Sequence, residues 1–286
     1  APSDEALIYD IQLMKRLGFN MLRKHIKIEP MRWYYHCDRL GMLVWQDMVN
    51  GGSAYKHWFV TYLATLMNWN HISFSDDEKH AGLLSRLHPE GKDEFRREIT
   101  ETIAFLYNHP SIVVWVPFNE GWGQFDALAA CEQIRTLDSS RLVDHASGWF
   151  DQKGGDILSL HYYFLKLKFK PESKRAAALT EFGGYSLSIP GHSCCKKVYG
   201  YKKFNSTGAL TYGYIDLIRQ TILPAVKKGI GATVYTQLSD IEEETNGIYT
   251  YDREICKIDP DTLRKWNRAL KEAGECKTYA DHTTDH

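Results

Sequence analysis

The 286-residue sequence has no excess of charge of either sign. Its 35 Lys+Arg stand against 36 Asp+Glu, a net charge of -1. That removes the electrostatic basis for binding nucleic acid or an anionic membrane. There is no apolar run long enough to span a bilayer and no signal-like opening segment. The six cysteines, at 37, 131, 194, 195, 256 and 276, form no CxxC pair and no framework spacing. Cys194 and Cys195 are adjacent, which suits an ordinary disulfide poorly. A reducing, cytoplasmic setting is the expectation. No GxGxxG or Walker loop follows a strand-like run, so no nucleotide cofactor is indicated. The twelve histidines are scattered and include no HExxH, and no metal is expected. Repeats and low-complexity linkers are also missing.

What is present is a large apolar fraction, 43% of residues, enough for one large domain or two small ones. Aromatics reach 13%, with 8 Trp and 17 Tyr. Sugar rings stack on such faces, although any single Trp reads first as core. The sequence leaves homo-oligomerisation open.

Helix-like and strand-like segments alternate. Ser3-Asp4-Glu5 caps a helix with an apolar face of Leu7, Ile8, Ile11, Met14 and Leu17, stopped by Gly18. Strands are expected at 19–23, 43–47, 111–118, 142–145, 157–161, 177–181 and 232–237. Helices are expected at 30–40, 90–108, 124–137, 211–228 and 260–273, with a long loop over about 51–88. Strands alternating with helices imply parallel βαβ units. Polar residues stand at nearly every strand end: Arg23 and His25, Asp47, Asn119 and Glu120, His145, His161 and Tyr163, Glu181, Gln237. That placement fits a (β/α)8 barrel, whose functional residues lie at the C-terminal ends of its strands. Seven strands are counted and the chain opens on a helix. The expected architecture is therefore a TIM barrel lacking its first strand, residues 1–286 being a single catalytic domain cut from a longer protein.

In that numbering Glu120 ends strand 4 and Glu181 ends strand 7, roughly across the barrel mouth. Either glutamate alone reads as a salt-bridged strand end. Together they fit a retaining glycosidase, in which two carboxyls about 5–5.5 Å apart act as acid/base and nucleophile. The two need different surroundings. Gly183-Gly184 follows Glu181 and lets a substrate approach. Trp115, Phe118 and Trp122 surround the end of the other strand, and desolvation there is expected to keep a proton on Glu120.

These residues sit in segments that resemble the catalytic barrel of glycoside hydrolase family 2, the family of bacterial β-galactosidases, β-glucuronidases and β-mannosidases. The segments are GFNMLRKHIKIEPMRWYYHCDRLGMLVWQD (18–47), NHPSIVVWVPFNEGWGQFD (108–126), ALTEFGG (178–184) and TQLSDIEEETNGIYTYDR (236–253). The resemblance implies that Glu120 is the acid/base, Glu181 the nucleophile, and Asn119 a contact to the sugar 2-hydroxyl. It implies that Arg23 holds the nucleophile ionised, and that Tyr163, or Tyr162 in the other register, hydrogen-bonds it. His25 and Asp47 either line the glycone pocket or are buried, satisfied polar residues. His161, Trp122 and Gln237 complete the candidate substrate contacts. The implied partners are a carbohydrate substrate and β-sandwich domains preceding the barrel in the parent protein.

Two features depart from the family pattern. Thr236-Gln237 stands where strand 8 often ends in a tryptophan. The Asn-x-Lys motif of glucuronidases is absent, which disfavours a uronic acid. The expected activity is therefore retaining hydrolysis of β-galactoside-like sugars. The alternatives are a β-glucuronidase or β-mannosidase of the same family, or a catalytically silent carbohydrate-binding barrel. The aromatics of the 51–88 loop would wall the aglycone side or meet another domain. The acidic run 240–244 reads as a solvated loop rather than a calcium or amine site.

Overall fold

The computed structural model describes residues 2–281 apart from 55, 70, 71, 73, 164–166 and 196. The strands are β1 (Met21–Lys24), β2 (Leu43–Asp47), β3 (Ile112–Val116), β4 (Leu142–Val143), β5 (Ile157–Tyr162), β6 (Ala176–Gly183), β7 (Tyr185–Ser186), β8 (Lys202–Lys203) and β9 (Ile230–Thr236). The helices are α1 (Asp4–Arg16), α2 (Met31–Leu40), α3 (Ala64–Trp69), α4 (Pro89–Leu106), α5 (Ala127–Leu137), α6 (Thr207–Leu217), α7 (Leu223–Lys227) and α8 (Pro260–Asp281). All seven expected strands are found. The short β7 and β8 are additional and pair parallel with each other in a sheet of their own.

The first four strands form a parallel sheet in chain order, and β5, β6 and β9 form another in the order β5-β6-β9. Each sheet keeps the sequence order of its strands, as a (β/α) barrel requires. The residues explain the pairing. β3 is IVVWV, apolar on both faces, and all of it is buried except the half-buried Val113. Parallel strands covered on both faces read this way. β1 is more polar, and its alternation sorts the charges: Arg23 meets Asp47, whereas Lys24 meets Glu29 at 2.5 Å and lies 4.7 Å from the Trp33 ring centre. β4 is shorter than expected. Asp144 still donates its N–H to the Trp115 carbonyl at 3.0 Å, but the ladder ends there.

The segment expected as one helix over 211–228 is three pieces: α6, a π-helical turn at Ile218–Ile222, and α7. Pro224 lacks an N–H for the preceding turn and crowds its carbonyl, and the widened turn absorbs both defects. The 51–88 segment is not structureless. A π-helical turn at Trp58–Leu63, α3 and a 3-10 turn at Glu78–His80 lie within it. Its Phe59, Val60, Ala64 and Leu84 form a buried cluster with Phe150, joined by Phe74 and Trp149. Trp58 and Tyr62 stay exposed. Tyr55, Asn70 and His71, and the side chains of Trp69 and Cys276, lie outside the described residues.

Trp115 is fully buried yet polar at one edge. Its indole N–H donates to Asp138 at 2.9 Å, and the same carboxylate takes Ser140 Oγ at 2.6 Å and Arg141 Nη1 at 2.5 Å. Burial pushes the Asp138 carboxyl up, but the hydrogen bonds from Ser140, Arg141 and Trp115 outweigh it and hold the group at about 2. A depressed carboxyl stabilises the fold above its unfolded value near pH 4 and loses that contribution as pH falls toward 2. The contribution at neutral pH is about 2 kcal/mol. Asp138→Asn is therefore expected to lower Tm at pH 7 and to flatten its fall between about pH 4 and pH 2. An unchanged Tm at pH 7 would rule this contribution out.

The chain falls into two compact units. One comprises Ala1–Gln12, Asn20–His161 and Glu172–Thr180, and the other Leu13–Phe19, Tyr162–Pro171 and Glu181–His286. Among the described residues no helix is long and apolar enough to cross a membrane.

Candidate active site

In the first unit the chain turns sharply after β3. Asn119 bridges Ser147 in parallel fashion, and the Glu120 N–H donates to the Ser147 carbonyl at 2.9 Å. Glu120 has φ +50° and Gly121 φ +72°. A left-handed glutamate costs roughly 1–2 kcal/mol, and strain of this kind collects at functional positions. Gly121 has no substitute here, because a Cβ on it would come within 2.2 Å of the Phe150 ring.

The Glu120 carboxylate is 26% exposed, and its Oε1 lies 2.9 Å from Nδ1 of His161 on β5. The His161 side chain is fully buried, and its Nε2 lies 3.1 Å from Ser147 Oγ. Beside them, Arg23 grips Asp47 through two parallel bonds of 2.9 Å, with both side chains almost completely buried. The planar fork matches the carboxylate and fixes the guanidinium. Arg23 then donates to Asn119 Oδ1 at 2.8 Å and to the Thr180 carbonyl at 3.1 Å. This orients the Asn119 amide, with its carbonyl on the arginine and its NH2 as the remaining donor.

In the second unit, Glu181 near the end of β6 accepts a short hydrogen bond from the Tyr163 hydroxyl. The Tyr163 ring stacks on Tyr201 at 4.1 Å, and its hydroxyl is 3.3 Å from Thr236 Oγ1 at the end of β9. The Gly183-Gly184 turn is left-handed at both residues. A Cβ at either would come within 2.5 Å of a tyrosine ring, Tyr235 or Tyr201. The turn lets aromatic rings close in beside Glu181.

Gln237 gives its amide N–H2 to Glu244 at 2.8 Å and Asn246 at 2.6 Å. The acidic run is divided. Glu242 and Glu243 are exposed, but Asp240 is buried against the fully buried Lys257, whose ammonium also reaches the Leu187 and Thr245 carbonyls. A group with metal-ligand spacing in this unit, His192, Asp252 and Glu254, is largely exposed and already ion-paired.

Arg23, Asp47, Asn119, Glu120 and His161 thus share a neighbourhood in the first unit. Glu181 and Tyr163 meet in the second, where Tyr163 is the tyrosine on Glu181. His25 is exposed just past β1, and Trp122 is half-buried with its carbonyl accepting from Asn50 at 2.7 Å. Trp115 and Phe118 belong to the core: the first is tied to Asp138, and the second stacks on Phe95 at 5.0 Å. His161 is the ring beside the Glu120 carboxylate. The pattern of strand ends overlooks Asp144, Ser147, Ser159 and Thr180. It selects His145, two residues past β4, which is buried with its Nε2 accepting the Gln152 N–H at 3.0 Å. Asp144, one residue earlier, is also buried but instead accepts from the Ser159 hydroxyl at 3.0 Å.

Comparison with known proteins bears on this arrangement. The chain is 26% identical over 291 residues to a β-galactosidase of Leuconostoc mesenteroides subsp. mesenteroides, a match covering 96% of this chain and 25% of that protein. It is 30% identical over 146 residues to a β-galactosidase of Lactococcus lactis subsp. lactis, covering 51% of this chain and 12% of that protein. Among solved structures, a β-galacturonidase of Eisenbergiella tayi bound to galacturonate matches with a TM-score of 0.63 at 18% identity, covering 94% of this chain and 48% of the other. The β-D-glucuronidase of Dictyoglomus thermophilum gives 0.65 at 14% identity with the same coverage. At those identities the structural likeness concerns the fold. The chain spans a quarter or less of these curated relatives and about half of the solved chains. The family model described as "Glycosyl hydrolases family 2, TIM barrel domain" matches residues 2–222. With that match over most of the chain, and strands in sequence order ending in polar residues, this chain belongs to glycosyl hydrolase family 2 and has its TIM-barrel fold.

Proposed function

We propose that residues 1–286 are the catalytic barrel of a retaining exo-β-glycosidase acting on galactoside-like sugars, with Glu120 as acid/base and Glu181 as nucleophile. The observation that carries this reading is the difference between their partners. Glu120 has an imidazole, which both gives and takes a proton. That suits a carboxyl that must act first as acid and then as base. Glu181 has a phenol hydroxyl, which near neutral pH only donates to a carboxylate. That suits a group that must stay ionised to attack.

In the first step Glu181 attacks the anomeric carbon while the glycosidic C–O bond breaks, and Glu120 gives its proton to the leaving oxygen. In the second, water attacks the glycosyl ester of Glu181 and loses a proton to Glu120. Both carboxyls are restored, and the sugar leaves with its β configuration. Asn119, oriented by Arg23, offers its amide NH2 to a sugar hydroxyl. The β-galactosidase relatives and the missing Asn-x-Lys motif support a galactoside over a uronide. The greater length of the relatives supports β-sandwich domains beside the barrel.

A panel of nitrophenyl β-glycosides, with proton NMR of the first-formed sugar, tests the reading in the intact protein. The galactoside is expected to exceed the glucuronide and mannoside in kcat/KM by at least about tenfold, with the β-anomer appearing first. An α-anomer first would overturn retention. A preference for the glucuronide would replace the substrate, and binding without turnover would leave a silent carbohydrate-binding barrel.

A further inference from the structure

The double displacement makes no use of a run of hydrogen bonds behind Glu120. His161 Nε2 is 3.1 Å from Ser147 Oγ, which is 3.0 Å from Thr180 Oγ1. Thr180 Oγ1 is 2.5 Å from Ser159 Oγ, and Ser159 Oγ is 3.0 Å from Oδ2 of Asp144. Glu120 Oε1, at 2.9 Å from His161 Nδ1, closes the other end. Two carboxyls are therefore joined by one imidazole and three hydroxyls, all within the first unit.

Each hydroxyl has one proton to give, which restricts the possible orientations. The 2.5 Å contact between Thr180 and Ser159 needs a proton in it. A cross-contact from Ser159 to Ser147 and one from Thr180 to the Leu160 carbonyl are both longer, at 3.3 Å. One self-consistent chain runs toward Asp144: His161 Nε2–H to Ser147, Ser147 to Thr180, Thr180 to Ser159, Ser159 to an ionised Asp144. Nδ1 is then an acceptor, and Glu120 holds a proton on it. The opposite chain starts from a protonated Asp144 and ends with Nδ1–H donating to an ionised Glu120. Passing from the second to the first moves one proton from Asp144 to Glu120. Along the way Ser159, Thr180, Ser147 and His161 each gain one proton and give one up.

We infer that Asp144 is a proton-holding partner of Glu120: in the resting protein the two carboxyls share one proton along this chain, and an ionised Asp144 keeps it on Glu120, ready for the leaving oxygen. The inference rests on the reading of Glu120 as acid/base. Asp144 touches no reacting atom and is a positioning residue. Its surroundings suit it to holding a proton part of the time. Its Oδ1 is buried with no hydrogen-bond partner, which penalises a permanent charge. Burial pushes the Asp144 carboxyl up to about 6, against the pull of Arg23 on β1, His145 next along the chain and the Ser159 hydroxyl, with Asp47 on β2 adding to the rise.

The test uses Asp144→Asn and Ser159→Ala in the intact protein, with pH profiles of kcat/KM and 15N NMR of the His161 ring. Without the ionised Asp144, nothing draws the chain toward the orientation that keeps a proton on Glu120. The basic limb of the profile is then expected to move to lower pH, by about 1 pH unit for Asp144→Asn and less for Ser159→Ala. His161 should lose its Nε2–H tautomer at the same pH. A merely structural role would lower Tm and leave both readouts in place. If Asp144→Asn does not fold, Ser159→Ala decides alone, and a limb that stays within about 0.2 pH unit of the parent overturns the inference. Azide rescue of Glu120→Ala, run in the same series, separates the two ideas. Rescue with an unmoved limb removes the relay alone, and absence of rescue removes both the acid/base assignment and the relay.

Discussion

Replacing Glu181 by Gln is expected to abolish turnover on every glycoside, activated or not, by about 10⁵-fold or more, the scale on which removal of a covalent nucleophile acts. The substitution keeps the size of the side chain and keeps an oxygen for the Tyr163 hydroxyl. It replaces a nucleophilic carboxylate with an amide. No glycosyl ester can then form, and a better leaving group does not help, because the missing group is the attacking one. The loss should appear equally in kcat for phenyl and dinitrophenyl glycosides, with Tm close to the parent. Residual turnover above about 1% on any substrate would place the nucleophile elsewhere.

Glu120→Ala should behave differently. General acid catalysis contributes about 10²- to 10⁴-fold, and it matters in proportion to how poorly the leaving group departs. Alkyl glycosides should lose activity by about that factor. Dinitrophenyl glycosides need little protonation, so the first step should survive and the glycosyl-enzyme should accumulate for want of a base in the second. Azide needs no base. It should restore turnover by attacking the intermediate from the β face and should yield a β-glycosyl azide. The space left by the carboxyl lies beside the His161 ring, and the Glu120 side chain is 26% exposed, so the anion has a place to enter. Rescue of a Glu181→Ala variant with an α-azide product would mean that the two roles are reversed. Mass spectrometry of the intact protein, showing a sugar on the Glu120→Ala enzyme and none on Glu181→Gln, checks both expectations at once.

The strands, their order and the polar residues at their ends were legible in the sequence because each is a local pattern. IVVWV is a buried parallel strand wherever it occurs, and Asn119-Glu120-Gly121 after it announces a turn that presents polar groups. The family segments are contiguous for the same reason. The tertiary structure alone decided which of two neighbours does the work. At the ends of β4 and β5 neighbouring residues reach different partners: Asp144 meets the Ser159 hydroxyl where His145 meets the Gln152 N–H, and it is Tyr163 that meets Glu181. It alone turned the aromatics of residues 51–88 into a packed cluster around Phe150, and paired Asp240 of an acidic run with Lys257. The hydroxyl chain was invisible in the sequence because Ser147, Ser159 and Thr180 are ordinary residues in three separate segments. The contact from Arg23 to the Thr180 carbonyl spans 157 positions. Periodicity and capping report on neighbours a few residues apart. A contact of that span leaves no trace in them, and only the closing of the strands side by side brings it about.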